Sequence, residues 1–350
     1  MIKSTSSARV EELIGAMTLQ EKIGQMTLIS ANLAVTGPKV TGDYMAALRE
    51  GRIGTVSTLF GAERTREVQK VAVEETRLGI PVLFALDVIH GHRTVFPIPL
   101  AEAATFDPEL WEQTARASAV EATADGVNFN YAPMLDISRD PRWGRIAEGP
   151  GEDSWLASRF AVAKVRGIQG DDLAKADAMA ATAKHLAAYG AATAGRDYAS
   201  VDISERTLLE VYMPPFKAAV DAGAAAIMPG FHDLAGVPMT ANEAVLVDLV
   251  RDRWGFDGVM ISDYNAITEL LAHGTAGNVA EAAAAALKAG VDIDLMGDAY
   301  RQGLPEALER GLVEEADIDQ AVRRVLDLKE ALGLFDQPYA RGHDDFLPPL

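Results

Sequence analysis

The chain has 350 residues, 49% of them apolar, and carries 51 acidic against 32 basic side chains for a formal charge of −19. That balance repels phosphate backbones and anionic lipid, so nucleic acid and membrane surfaces are excluded as partners and a neutral or cationic small molecule is favoured. With no cysteine there can be no disulfide, thiolate catalysis or cysteine-ligated metal.

The opening segment MIKSTSSARVEELIGAM has no apolar stretch of the signal-peptide kind, and no later run reaches the roughly 18 apolar residues of a membrane span. A cytosolic location is expected, or a periplasmic or secreted one if a leader has been removed. In chain order, short apolar runs with strand character are QMTLIS (25–30), IGTVSTLF (53–60), PVLFALDV (81–88), VNFNYAPML (127–135), AMAATAKHL (178–186), AAIMPGF (225–231), GVMISDY (258–264) and GVDIDLM (290–296). Helix signals lie between them. Thr18 with Glu21 reads as a capping box, and Asp107 before Pro108 as an N-cap with proline at the first helical position. ERTLLEVYMPPFKAAVDAG and VAEAAAAALKAG read as helices stopped by Gly223 and Gly290.

Near-continuously apolar strands alternating with helices imply a parallel sheet covered by helices. Eight such units in roughly 300 residues fit an α/β fold of the (β/α)8 TIM-barrel kind better than an open sheet, and no Gly-x-Gly-x-x-Gly follows the first strands. A single barrel domain over 1–335 is expected, with 336–350, richer in Pro, Gly and charge, as a tail or linker.

In such a barrel the active site lies at the C-terminal ends of the strands. Asp87, His90, His92 and Arg93 follow the third candidate strand, and Asp136, Arg139, Arg142 and Arg145 the fourth. Lys184 and His185 end the fifth, Met228 and His232 fall near the sixth, and Asp263 near the seventh, so four of the six histidines are in this set. Each has a structural reading alone, as a turn cap or a solvated pair, but convergence on one face implies a polar pocket.

Two chemistries can be built from the set. In glycoside hydrolysis a carboxylate attacks the anomeric carbon while Asp, Arg, Lys and His fix the sugar hydroxyls. In metal-assisted hydrolysis His90, His92, Lys184, His185 and Asp263 would hold a divalent ion. Against the second, Arg93 adjoins the His-x-His pair, and its permanent positive charge is unfavourable beside a cation.

DVIHGHRTVFPIPLAEAATFD (87–107), APMLDISRDPRWGRIAEGPGED (132–153), AKHLAAYG (183–190) and GVMISDYNAI (258–267) resemble the successive signatures of glycoside hydrolase family 3, especially its bacterial β-glucosidases. The resemblance runs from about Thr18 to Tyr339, and the DPRWGR-x-x-E-x-x-GED block is highly specific. It implies a retaining, exo-acting β-glycosidase without a cofactor or metal, taking a β-glucoside or oligosaccharide, with self-association as a homo-oligomer left open. By motif position Asp263 is the nucleophile and Asp87 binds the outer hydroxyls of the terminal sugar. Arg145, Lys184 and His185 hold the other hydroxyls, Arg93 and Met228 line the pocket, and Arg196 is a further member. Tyr264 stands where the family often has Trp, and Phe231 replaces an aromatic hydroxyl.

The family's acid/base Glu usually comes from a second domain, and the single-domain branch uses a loop His after the Lys-His pair. Here that loop, KHLAAYGAATAGRDY, has no second His, and Asp197 is its only acid. Glu148 and Glu152 are assigned to orienting the arginines or capping the next helix. The expectation is a weak β-glucosidase-type hydrolase with an unknown acid/base; a non-catalytic sugar-binding barrel and the metal-dependent hydrolase are the alternatives.

Overall fold

The computed structural model describes residues 6–31 and 44–343. Each of the eight apolar runs contains a strand: β1 Thr27–Ser30, β2 Thr55–Ser57, β3 Leu83–Leu86, β4 Phe129–Asn130, β5 Ala180–Leu186, β6 Ala226–Pro229, β7 Val259–Met260 and β8 Asp294–Leu295. They run parallel in the order β8-β1-β2-β3-β4-β5-β6-β7. A parallel bridge between Ile261 and Ile293 joins the two ends, with the Ser262 N–H donating to the Ile293 carbonyl at 2.9 Å. The ring is therefore closed, as the TIM-barrel reading requires.

Alternation along each strand sorts the side chains. Leu28, Leu83, Ala85, Phe129, Tyr131, Ala180, Met228, Val259, Ile261, Ile293 and Leu295 share one interior cluster. Outward residues join a second, larger cluster beneath the helices, where Trp111 and Phe160 meet at 5.3 Å. No helix among the described residues is long and apolar enough to cross a membrane.

The start signals act as their chemistry predicts. Thr18 and Glu21 form the reciprocal capping box, and Asp107 accepts from the N–H groups of Glu109 and Leu110 ahead of helix Pro108–Ala124. The alanine-rich helix Val279–Lys288 is buried on most sides, and Gly303 allows the helix Ala299–Glu309 to lie against its Val279 carbonyl, where a Cβ would clash. The expected helix over ERTLLEVYMPPFKAAVDAG is broken into Glu205–Thr207, a wider π turn at Leu208–Tyr212, and Pro214–Asp221. Pro214 and Pro215 supply no N–H, so the ladder stops and restarts with proline in its first turn.

Residues 336–343, the described part of the stretch expected to be a tail or linker, carry the buried Arg341. Its guanidinium donates to the carbonyls of Ala178 (2.9 Å), Leu332 (3.1 Å), Leu173 (2.8 Å) and Lys175 (3.0 Å). Arg341→Ala leaves these acceptors without their donor and is expected to cost about 3 kcal/mol in urea unfolding. A cost below about 0.5 kcal/mol, the level of an ordinary surface change, would show that this segment does not dock in solution.

Candidate functional site at the strand ends

Asp263 lies two residues beyond Ile261, so the alternation that sends Val259 and Ile261 inward also sends Asp263 to the mouth of the interior. Its neighbour Ser262 faces the other way, where its hydroxyl oxygen accepts the Leu295 N–H at 2.9 Å and stitches β7 to β8. The Ser-Asp pair thus divides its work: one side chain fixes the strand, the other enters the site. Asp263 is 7% exposed; its Oδ1 accepts the Tyr264 backbone N–H at 2.7 Å, and its Oδ2 has no hydrogen-bond partner among the described residues. Burial raises its carboxyl to about 7 against the pull of Lys184 and Arg145.

Asp87 follows β3 in the same inward phase. Asn130 fixes the backbone beneath it, its amide oxygen accepting from the Val88 N–H at 2.9 Å and its NH2 donating to the Val88 carbonyl at 3.1 Å. The exposed Asp87 carboxylate receives the buried Lys184 ammonium at 2.5 Å. Lys184 pairs with Met228 and Leu186 with Pro229, so the β5–β6 register slips around His185. Such a bulge re-aims a side chain, and here Lys184 and His185, adjacent in sequence, both reach the site. Met228 is buried at the top of the interior cluster.

His185 donates its Nδ1–H to Asp136 Oδ2 at 2.8 Å, and its backbone N–H reaches the same oxygen at 3.0 Å. That tautomer follows from Nε2, which accepts from Arg145 Nη2 at 3.3 Å and lies 3.6 Å from Asp263 Oδ2. Burial holds His185 well below the usual histidine range and pushes Asp136 up to about 8. Burial thus favours the neutral imidazole, which makes its contact with Asp263 a weak one rather than a salt bridge. Arg145 is itself forked onto Glu148 at 2.8 and 2.9 Å.

Tyr189 had no role in the sequence reading, yet it is wholly buried at the centre of these groups. Arg145 lies over its ring at 5.6 Å, His185 meets it edge-on at 5.4 Å and His232 stacks at 5.0 Å and 9°. Its hydroxyl donates to Asp197 Oδ1 at 2.6 Å, which also accepts Trp143 Nε1–H at 3.0 Å. Asp197, the loop acid, thus ties the loop after β5 to the WGR block. Gly190 permits that approach, since a Cβ there would strike the Ile137 carbonyl. Asp136 was among the polar residues expected after the fourth strand, whereas Tyr189, on the single turn Tyr189–Ala191 that follows β5, carries no sequence signal that marks it.

Other expected members lie elsewhere. Arg93 forks onto Asp125 at 2.7 and 3.3 Å, and His92 Nε2 contacts the same carboxylate at 2.6 Å. His90 is turned to the Phe96 carbonyl at 2.9 Å. Of the alternative ligand set, Lys184, His185 and Asp263 come together while His90 and His92 are engaged elsewhere, and no group of three His, Cys, Asp or Glu side chains suited to a metal is present among the described residues. Arg196 stands exposed on the loop after β5. A cavity of about 1250 Å3 lies on the outer flank between helices Pro108–Ala124 and Ser154–Gln169, lined by Arg93, Arg116, Glu121 and Arg166. It does not contain the strand-end groups.

The arrangement pairs one buried, unencumbered carboxylate with a dense rim of hydrogen-bonding groups, suited to a polyhydroxylated ligand. Comparison with known proteins agrees. The model of the glycosyl hydrolase family 3 N terminal domain matches residues 18–328. A periplasmic beta-glucosidase of Salmonella typhimurium is 42% identical over 333 residues, covering 95% of this chain and 43% of that protein. A putative beta-xylosidase of Formosa agariphila is 36% identical, covering 96% and 47% respectively. The crystal structure of a beta-glucosidase from Listeria innocua in complex with isofagomine superposes with a TM-score of 0.91 at 43% identity, covering 96% of this chain and 47% of that one. The chain spans about half the length of the relatives it matches or less. With its motifs, its closed barrel and these relatives in agreement, the chain belongs to glycosyl hydrolase family 3.

Proposed function

We propose that this barrel performs the nucleophilic half of a retaining, exo-acting β-glucosidase reaction. The observation that carries the proposal is Asp263: buried, with Oδ2 unpartnered among the described residues, and in the field of Lys184 and Arg145. Oδ2 attacks the anomeric carbon of a non-reducing terminal sugar, the glycosidic C–O bond breaks, and its electron pair leaves with the aglycone oxygen. Water then attacks the anomeric carbon of the glycosyl ester, the bond to Asp263 breaks to restore the carboxylate, and the proton released by the water passes to solvent, which protonates the departed aglycone oxygen. Asp87 and Lys184 hold hydroxyls at one side of the sugar; His185 Nε2 and Arg145 face it at the other. Tyr264 contributes an aromatic wall next to the nucleophile.

No described residue is assigned as the acid that protonates the leaving oxygen, because Asp197 is held by Tyr189 and Trp143 and Glu148 by Arg145. General acid catalysis contributes about 10²–10⁴-fold, so leaving groups that depart as stable phenolates should be favoured. A non-catalytic sugar-binding barrel is the second reading, supported by the same hydroxyl-binding rim.

Hydrolysis of 2,4-dinitrophenyl and 4-nitrophenyl β-glucosides beside cellobiose tests this directly. Turnover confined to the activated substrates, accelerated by azide and abolished in Asp263→Asn, is expected. Efficient cellobiose cleavage would place an acid within these residues, with the half-buried Glu269, raised by burial, the first to replace. Glucose binding without any turnover would favour the sugar-binding reading.

The pH dependence follows from the same carboxylate. For the dinitrophenyl substrate, kcat/KM should rise with pH through about 7 as Asp263 ionises, then level off because no acid is required. Stability runs the opposite way. With its folded value above the unfolded one, the native state binds the extra proton, so the contribution of Asp263 is present below about pH 4 and is lost as pH rises through about 7. Asp263→Asn should therefore raise Tm more at pH 8 than at pH 4.5; an equal shift at both would refute the buried-carboxyl account.

A further inference from the structure

Tyr198 is a large aromatic residue left 60% exposed, on the loop that follows β5, with a left-handed φ of 62°. A single exposed tyrosine is ordinary, but a bulky side chain at positive φ is uncommon and persists only where the surroundings impose it. Here they do. Asp197, the preceding residue, is clamped by Tyr189 and Trp143. Beyond Tyr198, the Ser200 carbonyl accepts from Thr193 N–H (3.2 Å) and Thr193 Oγ1 (2.7 Å), while Ser200 Oγ donates to Asp233 at 2.6 Å. The loop is tied on both sides of an outward ring.

That ring is not isolated. Phe231, from the loop after β6, meets it edge-on at 5.1 Å and 73°, and Tyr189 backs both, at 6.4 Å from Tyr198 and 6.2 Å from Phe231. Tyr189 also meets the His185 ring at 5.4 Å and lies under Arg145 at 5.6 Å, so the pair is joined through it to the groups around the nucleophile. His273 anchors this rim through the Phe231 carbonyl at 3.3 Å. Phe231 carries no hydroxyl, so the pair offers mainly apolar ring surface, with the Tyr198 hydroxyl its one hydrogen-bonding group.

We propose that Tyr198, braced by Phe231, is a platform for the leaving-group ring of the substrate: the second sugar of a β-linked disaccharide or an aryl aglycone. The inference rests on the glycosidase reading above and adds a specificity-determining site on its leaving-group side. The apolar C–H face of a pyranose and the face of an aryl group present the same kind of surface to an aromatic ring; a methyl aglycone is too small to reach it.

Binding measured by calorimetry on Asp263→Asn, which leaves glycosides intact, separates the cases. Glucose, methyl β-glucoside, 4-nitrophenyl β-glucoside and cellobiose are compared with and without Tyr198→Ala. Ring stacking of ordinary strength predicts binding roughly 3- to 10-fold weaker for the aryl glycoside, the disaccharide or both. Glucose and methyl β-glucoside should change less than twofold. A loss for one of the two ring-bearing ligands alone would identify which leaving group the platform takes. Tyr198→Phe should keep the affinity, and Tyr198→Gly, which suits the positive φ, should reproduce the loss seen with Ala and so exclude a collapsed loop as its cause. Equal weakening of all four ligands, or of none, would overturn the platform while leaving the glycosidase reading in place. Absence of glucose binding to both the unsubstituted protein and Asp263→Asn would remove that reading and the platform with it.

Discussion

A carboxylate withdrawn from water next to an apolar interior is the constraint to which the rest of the site answers. An ionised group in that position is costly unless positive charge lies near, yet a direct salt bridge would occupy the oxygen that has to react. The barrel meets both demands by placing Lys184 and Arg145 close enough to act on Asp263 while each is bonded to another acid, Asp87 and Glu148. His185 completes the arrangement by being neutral. With its Nδ1 proton given to Asp136 and its Nε2 turned to Arg145, it has no proton with which to cover Oδ2.

Holding cations near but not on the carboxylate requires rigid supports, and these come from ordinary barrel devices used at particular positions. Asn130 pins the backbone that carries Asp87, Ser262 pins the strand that carries Asp263, and the slip in β5 lets two consecutive side chains enter the same space. Tyr189 then packs against Arg145, His185 and His232 at once. A change at any of these supports would act on the reacting carboxylate through altered distances between charges, without touching a ligand.

The barrel was legible because each strand is a near-continuous apolar run, and the period of 2 then carries Asp87, Lys184 and Asp263 inward without further information. What could not be read concerns contacts between distant segments and departures from that period. His185, expected at the site from its motif, reaches it through a register slip that the period of 2 alone does not account for. Asp125 lies more than 30 residues from Arg93 and His92, and nothing around ATADG marks it as the group that engages both. Tyr189 sits in AAYGAATAG, a small-residue loop by composition, and its position becomes meaningful only when Trp143, from the preceding strand–loop unit, is brought within 5.1 Å. Arg341 follows the same rule: it stands in a stretch that reads as a linker by composition, and only the fold brings its guanidinium to four carbonyls, those of Ala178, Leu332, Leu173 and Lys175.

Two kinds of group meet around Asp263, and their difference gives the proposed reaction a direction. Asp87, Lys184, His185 and Arg145 supply charged and hydrogen-bonding groups at a density that suits the hydroxyls of one sugar. Tyr264, Phe231 and Tyr198 supply ring surface, tolerant of what it meets. In the proposed reading a ligand places its hydroxyl-bearing terminal ring among the first set and its next ring against the second, with the scissile bond beside Asp263. Discrimination then belongs to the terminal sugar and breadth to the leaving group, because directional hydrogen bonds reject a misplaced hydroxyl whereas stacking accepts many ring shapes.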